Sequence, residues 1–197
     1  MGLETLAVGL RDALPTAMSK SMQEERARGT PSSEIRTDLA RDAVVEISGV
    51  LRLLLADVFG LYVKTKSFHW HMTGRSFRDL HLLLNEHGDR IFAMTDAIAE
   101  RACKIGGSTI RSISDISRHQ RLKDNNEEDL TPKSMLLELQ ADNLQLTKFL
   151  RSTHDICQHH HDVATASLIE HWIDETERRT WFLSEIVGGL RSKTIHR

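Results

Sequence analysis

The chain has 197 residues, 40% of them apolar and 27% charged, with three prolines and a formal net charge of −2. That is enough chain for one well-cored domain plus a tail, and the charge is too balanced to draw the whole protein to nucleic acid. No apolar run is long enough to span a bilayer, and Glu4, Arg11 and Asp12 interrupt any basic-then-apolar leader pattern, so the expected setting is cytoplasmic, with nucleoid association left open.

Residues 1–42 read as a polar arm broken at Gly29-Thr30-Pro31-Ser32-Ser33. Its six basic and seven acidic side chains nearly cancel, which argues against a cationic DNA-binding arm. Met1 to Leu14 carries enough helical periodicity to pack on a neighbour. The expected domain spans 43–187. A first long helix is predicted from Ala43 to Met72, because Val44, Ile47, Leu51, Leu54, Leu55, Val58, Leu61 and Tyr62 recur at spacings of three and four. Thr73-Gly74-Arg75-Ser76 supplies a turn with Ser76 as N-cap. A second helix follows to Ile105, with Phe77, Leu80, Leu84, Ile91, Met94 and Ile98 as its apolar positions and Gly106-Gly107 at its end.

Ile110, Ile113, Ile116 and Leu122 predict a short connecting helix, followed by the acidic stretch Asp124 to Asp129. That stretch is open to two readings, a polar loop or the lining of a path for ions. Thr131-Pro132 opens a third long helix to about Gln158, with proline at its first position. A fourth is predicted from Val163 to Val187, capped by Asp162 and stopped by Gly188-Gly189, with Leu168, Ile169, Trp172, Ile173 and Phe182 on its core face. The fold class is therefore all-α, a four-helix bundle with a short extra helix in the middle connection. Residues 188–197 form a basic tail in which Arg191, Lys193 and Arg197 leave weak, salt-sensitive DNA contact open. His159-His160-His161 reads as a solvated linker, with an adventitious metal site as the alternative, and Cys103 and Cys157 as reduced, packed thiols.

The chemistry sits around the second helix. On a helical wheel with His81 at zero, Asn85 falls near 40°, Asp96 near 60°, Asp89 near 80° and Glu100 near 100°. A polar stripe thus runs down an otherwise apolar helix. His69 stands twelve residues before His81, and this mixture of imidazole and carboxylate suits divalent iron, zinc or manganese. Asp96 and Glu100 are like charges at i,i+4, a spacing that costs a few tenths of a kcal/mol unless a cation relieves it. Pairing of Glu100 with Lys104 is the plainer alternative. Asp96 also lies roughly 22 Å along the axis from His81, too far to share one metal within a chain. A second copy, antiparallel across a two-fold axis, would bring the carboxylates of one subunit to the histidines of the other. No glutamate is followed three residues later by histidine, so the Glu-x-x-His di-iron site built inside a single bundle is absent.

The motifs Lys64-Thr65-x-x-Phe68-His69-Trp70, Phe77-x-x-Leu80-His81 and Asp96-x-Ile98-Ala99-Glu100-Arg101, closed by Gly106-Gly107, together resemble the Dps family of miniferritins. The resemblance extends more loosely from Asp42 to about Ile186, through Asp174-Glu175 and Glu177-Arg178-Arg179-Thr180-Trp181. It implies a ferritin-like fold, a hollow homo-dodecamer built from two-fold dimers, and oxidation of ferrous iron, typically by hydrogen peroxide, with storage of the ferric mineral. His69 and His81 of one subunit would then meet Asp96 and Glu100 of its mate, with Trp70 beside them to intercept oxidising equivalents. Some members also bind and protect DNA. Position 85 usually carries aspartate in this family and is Asn85 here, which implies a weaker second iron position. A mainly DNA-compacting shell with an impaired metal site is the alternative.

Overall fold

Leu51, Leu54, Leu55, Val58 and Leu61 are all at most 2% exposed, and their spacing builds one continuous apolar stripe on a single helix. In this computed structural model, which describes residues 37–192, that helix is α1, Arg41–His71. It is followed by α2, Phe77–Lys104, the short α3, Ile113–His119, then α4, Pro132–His159, and α5, Val163–Ser192. Helices α1 and α2 pair along their length, as do α4 and α5, and α1 joins the two hairpins by packing on α4. The described residues form an all-α four-helix bundle, with α3 lying on α1 as the extra connecting helix. The reading of Met1 to Leu14 and the charges of Lys193 and Arg197 lie outside the described residues.

The ends of the helices follow local chemistry. Thr131 caps α4 by accepting from the Ser134 N–H at 3.1 Å, and Asp162 caps α5 by accepting from the Thr165 N–H at 3.0 Å. Ser76 stands at the N-cap of α2 but makes no side-chain capping bond. At the other end of α2, Gly107 N–H donates to Ala102 and Gly106 N–H to Cys103, both at 2.9 Å, and Gly106 takes φ 86°. This is a Schellman ending, and the positive φ suits a residue without Cβ. The same pair of bonds ends α4: Asp162 N–H to Cys157 and His161 N–H to Gln158. Here the left-handed position is filled by His161 at φ 58°, a costlier choice for an L-residue.

Four expectations need correction. Helix α5 does not stop at Gly188-Gly189 but continues to Ser192, because glycine lowers helix propensity by only about 1 kcal/mol and does not remove a backbone donor as proline does. Phe77 and Phe182 are exposed rather than in the core, where Leu183 takes the inward position. Cys103 is exposed, whereas Cys157 is buried and its thiol pushed up to about 12, chiefly by burial. His160 is not solvated linker: its side chain is 14% exposed and its Nε2 lies 2.6 Å from Glu46 at the start of α1.

Two polar clamps hold the bundle in register. The fully buried Asp57 carboxylate accepts from the backbone N–H groups of Arg121 and Leu122 and from Arg121 Nε and Nη2 at 2.8 and 2.6 Å. It thereby pins the segment after α3 to the middle of α1. Lys64 on α1 reaches Asp142 and Glu138 on α4 at 2.7 and 2.8 Å, and Glu138 in turn holds Asn125 of the acidic loop at 2.6 Å.

Candidate metal centre

Met72 is buried and Gly74 takes φ 94°, so the chain reverses tightly between α1 and α2. The reversal lays the last turn of α1 against the first turns of α2. His69 and His81 stack there, ring centroids 3.7 Å apart and planes within 22°. The His69 Nδ1–H donates to the carbonyl of His81 at 2.8 Å, and the His81 Nδ1–H donates to the carbonyl of His69 at 2.9 Å. A carbonyl can only accept, so both rings carry a proton on Nδ1, and each in its neutral form presents an Nε2 lone pair. That is the form of imidazole a divalent metal binds, with the second nitrogen held by a backbone carbonyl.

The other expected site residues are not all gathered here. Trp70 is 64% exposed next to His69. Asn85, one turn beyond His81, accepts from Lys66 Nζ at 2.8 Å through Oδ1 and donates to Asp89 Oδ2 at 3.0 Å through Nδ2. Asp96 is exposed far along α2, lining an open, mostly apolar hollow of about 720 Å³ with Phe59, Phe92, Ile110, Ile113 and Ile116. Glu100 is exposed and pairs with Lys104 at 2.7 Å, a hydrogen bond that holds its carboxyl below the usual range. The plainer i,i+4 pairing thus forms within the chain. Among the described residues, no three His, Cys, Asp or Glu side chains come together as a metal-holding group.

Spacing alone missed Lys66 and Gly88. A Cβ added at Gly88 would stand 2.8 Å from Lys66 Cδ, so the bare backbone at Gly88 makes the channel through which the Lys66 stem reaches Asn85. The available signal was a glycine in mid-helix, where it costs about 1 kcal/mol relative to alanine and therefore calls for a packing reason.

A model of the ferritin-like domain matches residues 50–192. A relative from Deinococcus radiodurans, DNA protection during starvation protein 1, is 29% identical over 74% of this chain and 70% of its own length. The chain belongs to the Dps miniferritins, within the ferritin-like family. A low temperature-induced protein of Nostoc sp. is 34% identical, covering 72% of this chain and 81% of that one. The X-ray structure of Dps from Thermosynechococcus elongatus superposes with a TM-score of 0.70 at 28% identity, over 72% of this chain and 90% of that one. DpsC from Streptomyces coelicolor, at 24% identity and a TM-score of 0.75, supports the fold. Among the described residues of this Dps chain, no helix is long and apolar enough to cross a membrane.

Proposed function

We propose that this Dps protein is a ferroxidase and iron store, in which ferrous iron is oxidised at sites shared between two copies and ferric mineral is held inside a closed shell of twelve. The observation that carries the reading is the reciprocal bonding of His69 and His81, which leaves the Nε2 of each stacked ring for a ligand, while among the described residues no carboxylate joins them to complete a metal-holding set. Asp96, roughly 22 Å further along α2, and Glu100, about one turn beyond it, are both exposed, and Glu100 is paired only with the equally exposed Lys104, so both could meet the histidines of a two-fold mate. The apolar hollow at Asp96 and the exposed Phe92 and Ile113 support burial of that face against another copy.

The chemistry asks little of the protein beyond positioning. Two ferrous ions each give up one electron, and one hydrogen peroxide accepts both as its O–O bond breaks. With two further waters the products are two ferric oxyhydroxide units and four protons. Carboxylates favour the ferric product, since hard oxygen donors suit the higher charge. Trp70, exposed beside His69, is the nearby group that oxidising equivalents would meet first.

Complementation between two dead chains tests the shared site. One carries His69→Ala and His81→Ala, the other Asp96→Ala and Glu100→Ala. Random pairing makes about half the dimers mixed, and each mixed dimer rebuilds one of two sites, so roughly a quarter of wild-type ferrous oxidation should return. Co-purified shells of verified mixed composition that recover no oxidation would refute the shared site.

The second reading, a DNA-compacting shell with an impaired metal site, is favoured by the uncharged Asn85 and its engagement with Lys66. Anaerobic ferrous titration followed by peroxide separates the two. Stoichiometric oxidation with a soluble mineral supports the store, and DNA retardation without oxidation supports the shell.

A further inference from the structure

We infer that Lys66 acts as a resident cation at the second metal position, so that the ammonium, and not the missing carboxylate alone, limits this site to one tightly held ion. The inference rests on the shared-site reading above and concerns the same pair of helices.

Three observations converge on it. First, the Lys66 Nζ lies 2.8 Å from Asn85 Oδ1, and Asn85 is one helical turn from His81, where a second ion beside the histidines would look for a ligand. Second, the path of Lys66 is built in. The stem crosses α2 at Gly88, where any Cβ would stand 2.8 Å from Cδ and 3.6 Å from Cγ. Third, Asn85 is the side chain that suits this arrangement. Its amide accepts from Lys66 with its oxygen and donates to Asp89 with its nitrogen, linking a fixed positive charge to a fixed negative one. An ionised aspartate at 85 could accept from Lys66 but could not donate to Asp89, and it would face Asp89 as a like charge at i,i+4.

The chemical consequence is a competition. A divalent ion at Asn85 would have to approach an ammonium already bound to the same oxygen. A carboxylate placed at 85 would be neutralised by Lys66 before it attracted a metal. Asn85→Asp by itself is therefore expected to change the second position little, and the lysine must also lose its charge.

The test is anaerobic calorimetric titration of the assembled, full-length protein with Co²⁺, a probe that binds imidazole and carboxylate without the iron oxidation chemistry. Six proteins are compared: wild type, Lys66→Met, Asn85→Asp, the double variant, His69→Ala with His81→Ala, and Gly88→Ala. Wild type is expected to bind one histidine-dependent ion per site. Asn85→Asp should tighten a second ion by less than about threefold, and the double variant by more than tenfold beyond both single changes combined. Gly88→Ala, which crowds the Lys66 stem without removing its charge, should move the wild-type protein part of the way. A second ion bound as tightly by Asn85→Asp alone as by the double variant would overturn the role of Lys66 while leaving the shared site intact. Loss of all histidine-dependent Co²⁺ binding in wild type would instead overturn the site itself, and this inference with it.

Discussion

His69 and His81, on different helices, each donate their Nδ1–H to the other residue's backbone carbonyl, at 2.8 and 2.9 Å. The acceptors are main-chain atoms, so removing one ring does not break the bond made by the other. The arrangement separates ligand loss from structural loss. His69→Ala should leave unfolding free energy within about 1.5 kcal/mol of wild type, the range of one hydrogen bond. Co²⁺ affinity should fall by roughly tenfold or more, since even the loss of an orienting partner to a ligand costs that much. Denaturant titration and calorimetry on the same sample read both quantities. Unchanged Co²⁺ affinity would remove His69 from the site.

Burial, reinforced by Arg179, Arg178 and Arg90, pushes the His87 imidazole down to about 4. Its side chain faces the bundle interior at 5% exposure, and Arg179 is similarly buried at 1%. In the unfolded chain the same group titrates near 6.5. Above that pH both states are neutral and His87 contributes nothing to pH dependence. As the pH falls towards 4 the unfolded chain takes up a proton that the folded chain refuses, so stability is lost on acidification. The loss from this one group should reach about 2 kcal/mol by pH 5. His87→Gln should flatten the pH 7 to pH 5 difference in urea stability by that amount. An equal slope in both proteins would show that His87 takes up its proton in the folded state.

Asp57 offers a sharper stability probe. It is fully buried and serves four donors from Arg121 and Leu122. Asn in its place cannot accept with both head atoms and leaves Arg121 without a counter-charge. Asp57→Asn should cost about 3 kcal/mol, the range for breaking a buried pair by removing one partner. Guanidinium unfolding measures it. Because Asp57 holds the segment after α3, protease cutting between Ile113 and Lys123 should also quicken. A cost below about 1 kcal/mol would mean the clamp merely tracks a loop held by other contacts.

The four long helices, their order, the connecting helix and the caps at Thr131 and Asp162 were determined by the sequence itself. They depend on residues a few positions apart, where the 3.6-residue period and local capping chemistry decide the outcome. The same locality exposed the two-ended arrangement of α2, since His81 and Asp96 share a helix and their separation follows from its rise. Tertiary structure decided the rest. Whether His69 meets His81 face to face depends on how the turn at Gly74 offsets α1 against α2 along their axes. No spacing within either helix encodes that offset. Lys66 could have pointed to solvent; packing of α1 on α2 brought its stem over Gly88 and its head to Asn85. His161 is exposed in the link between α4 and α5, as read from the sequence, but its left-handed backbone was not legible there. It took the left-handed position because α5 must turn back onto α4 there, and the packing of two long helices outweighs the strain of one residue.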